Sequence, residues 1–109
     1  MKLHALRIED AESPDFVFFC PGCKCAHGVW TSRPNSNGAQ WAFNGDFDKP
    51  TFSPSIDIAY SLPQGPGKPE LVKDRCHFFV REGFIEFCSD TTHALTSQTV
   101  LIPDWEKSI

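Results

Sequence analysis

Cys76-His77-Phe78-Phe79-Val80-Arg81-Glu82-Gly83-Phe84-Ile85-Glu86-Phe87-Cys88 is the stretch that decides the fold. Apolar and polar residues alternate on both sides of Glu82-Gly83, as in strands with one buried face. A two-residue turn at Glu82-Gly83 sets Val80 against Ile85 and Phe78 against Phe87, which makes one coherent apolar face. The same register puts His77 opposite Cys88. A three-residue turn over Arg81 to Gly83 would oppose Cys76 to Cys88 instead, but it mixes polar and apolar residues on each face, so the first register is preferred. In either register two residues able to hold a metal meet across the hairpin.

Working outward, short β-like runs recur at Leu3 to Ile8, Asp15 to Phe19, Gly28 to Thr31, Gln40 to Asn44, Ser55 to Tyr60 and Gln98 to Ile102. Nine prolines and seven glycines cut the chain into these pieces, and no stretch of a dozen residues keeps a helical period. The one helix candidate is a turn or two near Asp90 to Ser97, with Asp90 or Ser89 as N-cap. The expectation is a mostly β fold: a small single domain spanning 1–109, built of short antiparallel strands with a zinc-knuckle turn and at most one short helix. Arg33 to Gly38 reads as a turn-rich loop. Leu62 to Pro69, rich in Pro and Gly, reads as a mobile loop between two half-domains.

A chain of 109 residues supports one modest core, so a metal cross-link would matter to its stability. The net charge is −4, and the Lys and Arg residues are scattered. Nucleic-acid binding, which needs a basic stripe, is disfavoured. No apolar run approaches the roughly 20 residues that span a bilayer, and Met1 to Asp10 lacks a signal-peptide core. The expected location is the cytoplasm, or the host cytoplasm for a phage-encoded chain. A reducing compartment makes the five cysteines ligands or free thiols rather than disulfides.

Cys20-Pro-Gly-Cys23-Lys-Cys25-Ala-His27 carries the clearest chemistry. A C-x-x-C turn aims two sulfurs at one ion while backbone amides bond the thiolates, and Pro21-Gly22 suits so tight a turn. The plainer alternative is a redox or buried thiol pair. Structural zinc sites usually join two separated pairs. Closing the site locally through Cys25 and His27 would strain the loop, so distal donors are expected. The expected ligand set is Cys20, Cys23, Cys76, His77 and His93, with Cys25, His27, Cys88 and Asp90 behind them. Cys76 and His77 are adjacent, so on a strand they point to opposite faces and share one ion only across a bulge. One of the two therefore has another task, and a buried small hydrophobe is the plain reading of Cys76.

Asp90-x-x-His93, if helical, would share a face and could grip a metal or act as a base with its orienting partner. The plain reading is an N-cap Asp and a surface His. Thr51-Phe52-Ser53-Pro54-Ser55 could line a pocket, and Ser53 or Ser55 could be a nucleophile if His77 or His93 lies nearby; a hydrogen-bonded turn is the simpler reading. Asp90, His93, Ser53 and Ser55 are thus the catalytic candidates. Trp30, Trp41 and Trp105 read as core or rim aromatics.

Together these motifs resemble a family of small uncharacterised phage and bacterial proteins. The resemblance rests on Cys20 to Cys23 with His27, Trp41 to Asp46, Lys49 to Ser55, Cys76 to Val80, Gly83 to Phe87, Ser89 to Leu95 and Ile102 to Trp105. It covers nearly the whole chain and implies a zinc-binding protein. Members often carry the label ammonia monooxygenase, an enzyme expected to be membrane-embedded and copper-dependent, which the composition here does not match. Relatives that occur beside bacterial ubiquitin-like conjugation genes point by association to a peptidase or accessory protein.

Three functions are expected from this reading. The first is a small cytosolic protein whose zinc holds the fold while a surface meets a protein partner. The second is a zinc-dependent hydrolase, peptidase- or amidase-like, with a site around His77, Asp90 and His93. It needs three protein ligands and an open position, and no H-E-x-x-H signature supports it. The third is a phage factor that binds and inhibits a host protein.

Overall fold

The computed structural model describes residues 1–6, 12–62, 64–69 and 71–108. Among these, strands β1 (His4–Ala5), β2 (Phe16–Cys20) and β3 (Cys25–Val29) form one antiparallel sheet in that order. A second antiparallel sheet runs β4 (Ala42–Phe43), β5 (Phe52–Leu62), β6 (Leu71–Arg81), β7 (Phe84–Phe87) and β8 (Thr99–Leu101). The mostly β expectation holds. Of the predicted Leu3 to Ile8 strand, residues 7 and 8 lie outside the described residues.

The Glu82-Gly83 hairpin has the register that its sequence dictates: Phe78 faces Phe87, Val80 faces Ile85 and Arg81 faces Phe84. Glu82 (φ 49°) and Gly83 (φ 83°) are both left-handed. That is the backbone of a two-residue turn whose twist matches the strands it joins. Alternation then sorts β6 into two faces. Cys76, Phe78 and Val80 are buried, whereas His77, Phe79 and Arg81 lie on the other side. On the first sheet, Phe18, Cys20, His27 and Val29 are the buried set.

These buried faces pack against each other. Phe18 meets Phe78 edge-on with ring centroids 5.9 Å apart, and His27 stacks on Phe78 at 5.6 Å. Phe52, Ile56, Ile85, Phe87 and Ile102 complete the same core. The two sheets therefore form a small sandwich with Phe78 at its centre.

Two expectations change. The Leu62 to Pro69 segment does not separate half-domains, because β5 and β6 pair from Phe52–Val80 to Leu62–Leu71 and the segment closes their hairpin. Asp90 to Ser97 forms turns rather than a helix. Its threonines bond to the backbone of β6 (below), which competes with helical bonding. The helical turn observed is a short 3-10 segment at Trp105–Lys107, where Trp105 stacks on His4 at 5.4 Å.

β5 carries one irregularity that matters. Phe52 faces Val80 and Ile56 faces Phe78, so Ser53-Pro54-Ser55 bulges out of the ladder. The Ser53–Pro54 peptide is cis. Trp41 donates its indole N–H to the Ser55 carbonyl at 3.2 Å. Bulges re-aim side chains, and here the re-aimed residue is Ser55.

Candidate metal centre and hydroxyl–imidazole–carboxylate site

The β2–β3 hairpin turns through Pro21 to Lys24, with Lys24 left-handed at φ 58°. The Cys23 amide donates to Cys20 Sγ at 3.4 Å, as a knuckle requires. The pairing of Cys20 with Cys25 carries on to Phe18 opposite His27, so His27 comes back onto the buried face. Across the sandwich, Cys76 points inward from β6. Cys20, Cys23, His27 and Cys76 bring one donor atom each to within 4.8 Å of one another. His27 Nε2 is buried without a hydrogen-bond partner. An orphaned imidazole nitrogen beside three sulfurs fits a metal-binding set, since buried polar atoms otherwise find partners. Three cysteines and one histidine could hold a tetrahedral ion.

The thiols are electrostatically unlike. Cys20 is held down to about 3, chiefly by a hydrogen bond from the Cys76 thiol and helped by His27, against the opposing effect of burial. Burial, with the Cys20 charge beside it, pushes Cys23 up to about 11. Cys76 is pushed far up by its role as donor to Cys20 and by burial. The three thiols are thus pulled apart in acidity, and a cation held here would displace the remaining thiol protons.

His93 serves this centre from outside. The Leu95 amide donates to His93 Nδ1 at 3.1 Å, so the ring proton sits on Nε2, which faces Cys76 Sγ at 3.5 Å. A hydrogen bond to a ligating sulfur orients it and tunes its charge. The ring lies on Gly22, where any Cβ would run into it.

The opposite face of β6 holds a second constellation. Ser55 Oγ lies 3.1 Å from His77 Nε2. His77 Nδ1 lies 3.1 Å from both Asp90 oxygens. A carboxylate on Nδ1 keeps the proton there and leaves the Nε2 lone pair facing the serine hydroxyl. Thr91, 4% exposed, fixes this geometry by donating to the His77 carbonyl at 2.8 Å and accepting from the His77 amide at 3.0 Å. Thr92 repeats the clamp one step along: its amide reaches the Arg75 carbonyl at 2.8 Å, and its hydroxyl accepts from the Arg75 amide at 2.9 Å. Arg75 Nη1 lies 3.8 Å from Asp90. A cavity of about 340 Å³ is lined by Thr51, Ser53, Pro54, Phe79, Arg81 and Glu82, and neither Ser55 nor His77 is part of its lining.

Cys88 stands next to this line, its amide bonded to the His77 carbonyl at 2.8 Å. Burial, and Asp90 beside it, raise its pKa.

The donors expected from sequence thus divide between two places. Cys20, Cys23 and Cys76 come together, and His27, which the spacing had ranked behind the distal histidines, joins them. His77 lies on the other face of β6 from Cys76, as strand alternation demands. His93 touches Cys76 but is turned to it as a donor. His77, Asp90 and His93 do not converge on one ion, because the 88–92 segment hydrogen-bonds along the edge of β6 and leaves Asp90 at His77 and His93 at Cys76, on opposite faces of the strand. Cys25 is exposed. Of the two serines, the bulge gives Ser55 to His77 and leaves Ser53 exposed. The role of His27 was open to a sequence signal: closing the hairpin through Cys20 and Cys25 puts it opposite the inward-facing Phe18.

Fold and site together define a small all-β protein with a Cys3His cluster inside and a Ser-His-Asp line outside. The chain belongs to the family described as bacterial ubiquitination-like system serine protease (BubE), whose match covers residues 2–88. That span takes in Ser55, His77 and all four residues of the cluster, and it stops just short of Asp90. No curated protein and no solved structure matches the chain. Among the described residues no helix is long and apolar enough to cross a membrane.

Proposed function

We propose that this chain is a serine peptidase of a bacterial ubiquitin-like conjugation system. Ser55 is its nucleophile, His77 its general base and Asp90 the residue that orients His77. The observation that carries this reading is the unbroken hydrogen-bonded line from Ser55 Oγ through both His77 nitrogens to Asp90. In the acylation step His77 takes the Ser55 proton as Oγ attacks the carbonyl carbon, then delivers it to the leaving group; water reverses the sequence. The expected substrate is a protein modifier or its precursor, and the expected bond is an amide or ester of its tail.

Zinc is the metal that suits the Cys3His set. With four protein donors no position is left for a catalytic water, so the zinc would be structural, joining the two sheets through Cys20 and Cys76. This merges the first two functions expected from sequence: the metal holds the fold, and hydrolysis proceeds without it. The free thiols suit a reducing cytoplasm.

A fluorophosphonate probe, which phosphonylates activated serines at Oγ with loss of fluoride, tests the reading without knowledge of the substrate. The expected result is one adduct, mapped to Ser55 and absent in Ser55→Ala and His77→Ala. No adduct on a folded, metal-loaded chain would overturn it.

A further inference from the structure

The Ser-His-Asp line has a fourth neighbour that hydrolysis does not use. Cys88 Sγ, a carboxylate oxygen of Asp90 and a ring nitrogen of His77 lie within 4.8 Å of one another. The His77 nitrogen that faces Asp90 is Nδ1. One sulfur, one imidazole nitrogen and one carboxylate oxygen form a three-donor set for a borderline divalent cation, with the fourth position open to water. The site is half-exposed: His77 and Asp90 side chains are 25% and 45% accessible, so an ion can enter from solvent.

We propose that His77, Cys88 and Asp90 form a second, inhibitory cation site for zinc or a similar thiophilic divalent ion. The proposal rests on the reading of Ser55 and His77 as nucleophile and base. Coordination uses the Nδ1 lone pair, so the single proton of the neutral ring moves to Nε2. Nε2–H then points at Ser55 Oγ and cannot accept its proton, and Asp90 is engaged by the ion instead of by Nδ1. The Cys88 thiol proton leaves to bulk water as the sulfur binds. The ion therefore switches the base off without entering the nucleophile's own position. Arg75 Nη1, 3.8 Å from Asp90, opposes a cation here and makes this site weaker than the Cys3His centre, so the two fill in order. Hard ions such as magnesium lack affinity for the sulfur–nitrogen pair and would leave the enzyme active.

The test uses the full chain dialysed against buffered free zinc at nanomolar and then micromolar levels, with bound metal counted and fluorophosphonate labelling of Ser55 timed at each level. The expected result is one zinc per chain rising to two, with labelling slowed at least tenfold at the second equivalent, restored on returning to nanomolar zinc, and unaffected by magnesium. In Cys88→Ser the count stays at one, and the zinc needed to slow labelling, relative to that variant's own nanomolar-zinc rate, rises at least tenfold. A thermal melt confirms that the variant is folded. A single equivalent in the wild-type chain at both levels would overturn the proposal, as would inhibition unchanged in Cys88→Ser. The metal count in Ser55→Ala separates this from the peptidase reading: two equivalents there, with an unlabelled wild-type chain, would sink the peptidase and leave the cation site standing.

Discussion

At the scale of single residues, the peptidase reading makes unequal demands on its members. Ser55→Ala removes the nucleophile. Asp90→Asn keeps the shape but lets Nδ1 accept a hydrogen bond from the amide rather than donate one, so the tautomer with its proton on Nε2 faces Ser55. By comparison with such a substitution in serine proteases, labelling should slow by about 10⁴-fold while the melting temperature moves little, since the Asp90 side chain is 45% accessible. Gly22→Ala acts elsewhere. Its Cβ would meet the His93 ring, which is held between Cys76 and the Leu95 amide, so the ring must leave both. Loss of this outer-shell bond should weaken metal retention about 10–100-fold, read by competition with a chelator. Asp15 tests the electrostatics of the first sheet. Burial would raise its pKa, but backbone bonds from Ser32 and Thr31 and the Ser32 hydroxyl outweigh it and hold the carboxyl below its ordinary 3.8. A depressed folded-state pKa adds stability that is whole above the unfolded value and lost as pH falls through the folded one. The gap in urea midpoint between wild type and Asp15→Asn should therefore be open at neutral pH and close below about pH 4.

At the scale of elements, β6 and the 88–93 segment form one unit. Thr91 is buried and satisfies both backbone groups of His77. Thr91→Val keeps the volume but orphans the His77 amide, a loss of about 1–3 kcal/mol. It also frees Asp90 from its tether, so labelling should fall by more than the stability loss explains; a urea titration beside the labelling rate measures both. This unit also marks the limit of what the sequence reveals. The alternation around Glu82-Gly83 was enough to set the hairpin register and to place Cys88 beside His77, because a slip would expose Phe78 and Val80. The Asp90 to Ser97 turn was not legible, since the two threonines that hold it bond to a strand distant in sequence. Nor was the Ser53 to Ser55 bulge, which shows only once β5 is laid against β6. His27 was undervalued for a related reason: the knuckle was weighed as an isolated loop rather than as the end of a hairpin.

At the scale of the whole molecule, the Cys3His centre joins the two sheets. Structural zinc contributes about 10–16 kcal/mol in small domains, comparable with the entire stability of an ordinary one, about 5–15 kcal/mol. Stripping the metal with a strong chelator should therefore collapse the melting transition and abolish Ser55 labelling together, even though the ion touches no reacting atom. Zinc restored after stripping should return both. A chain that stayed folded and labelled without metal would show the centre to be dispensable.

The consecutive placement of Cys76 and His77 on opposite faces has a consequence for how this molecule can change over generations. The tip at 64–69 can lengthen or shorten, since it closes a hairpin and carries neither site. Between Asp74 and Thr92 the chain has no such freedom. The ladder already takes up one extra residue between Val72 and Asp74, but gaining or losing a single residue between Asp74 and Cys76 would rotate the strand by half its repeat, sending the thiol outward to the serine and the imidazole inward to the cluster. Both functions would fail in one step, because the two chemistries are written on alternate letters of one strand. Substitutions can accumulate here one at a time, but insertions and deletions cannot, and the two sites are bound to a common reading frame.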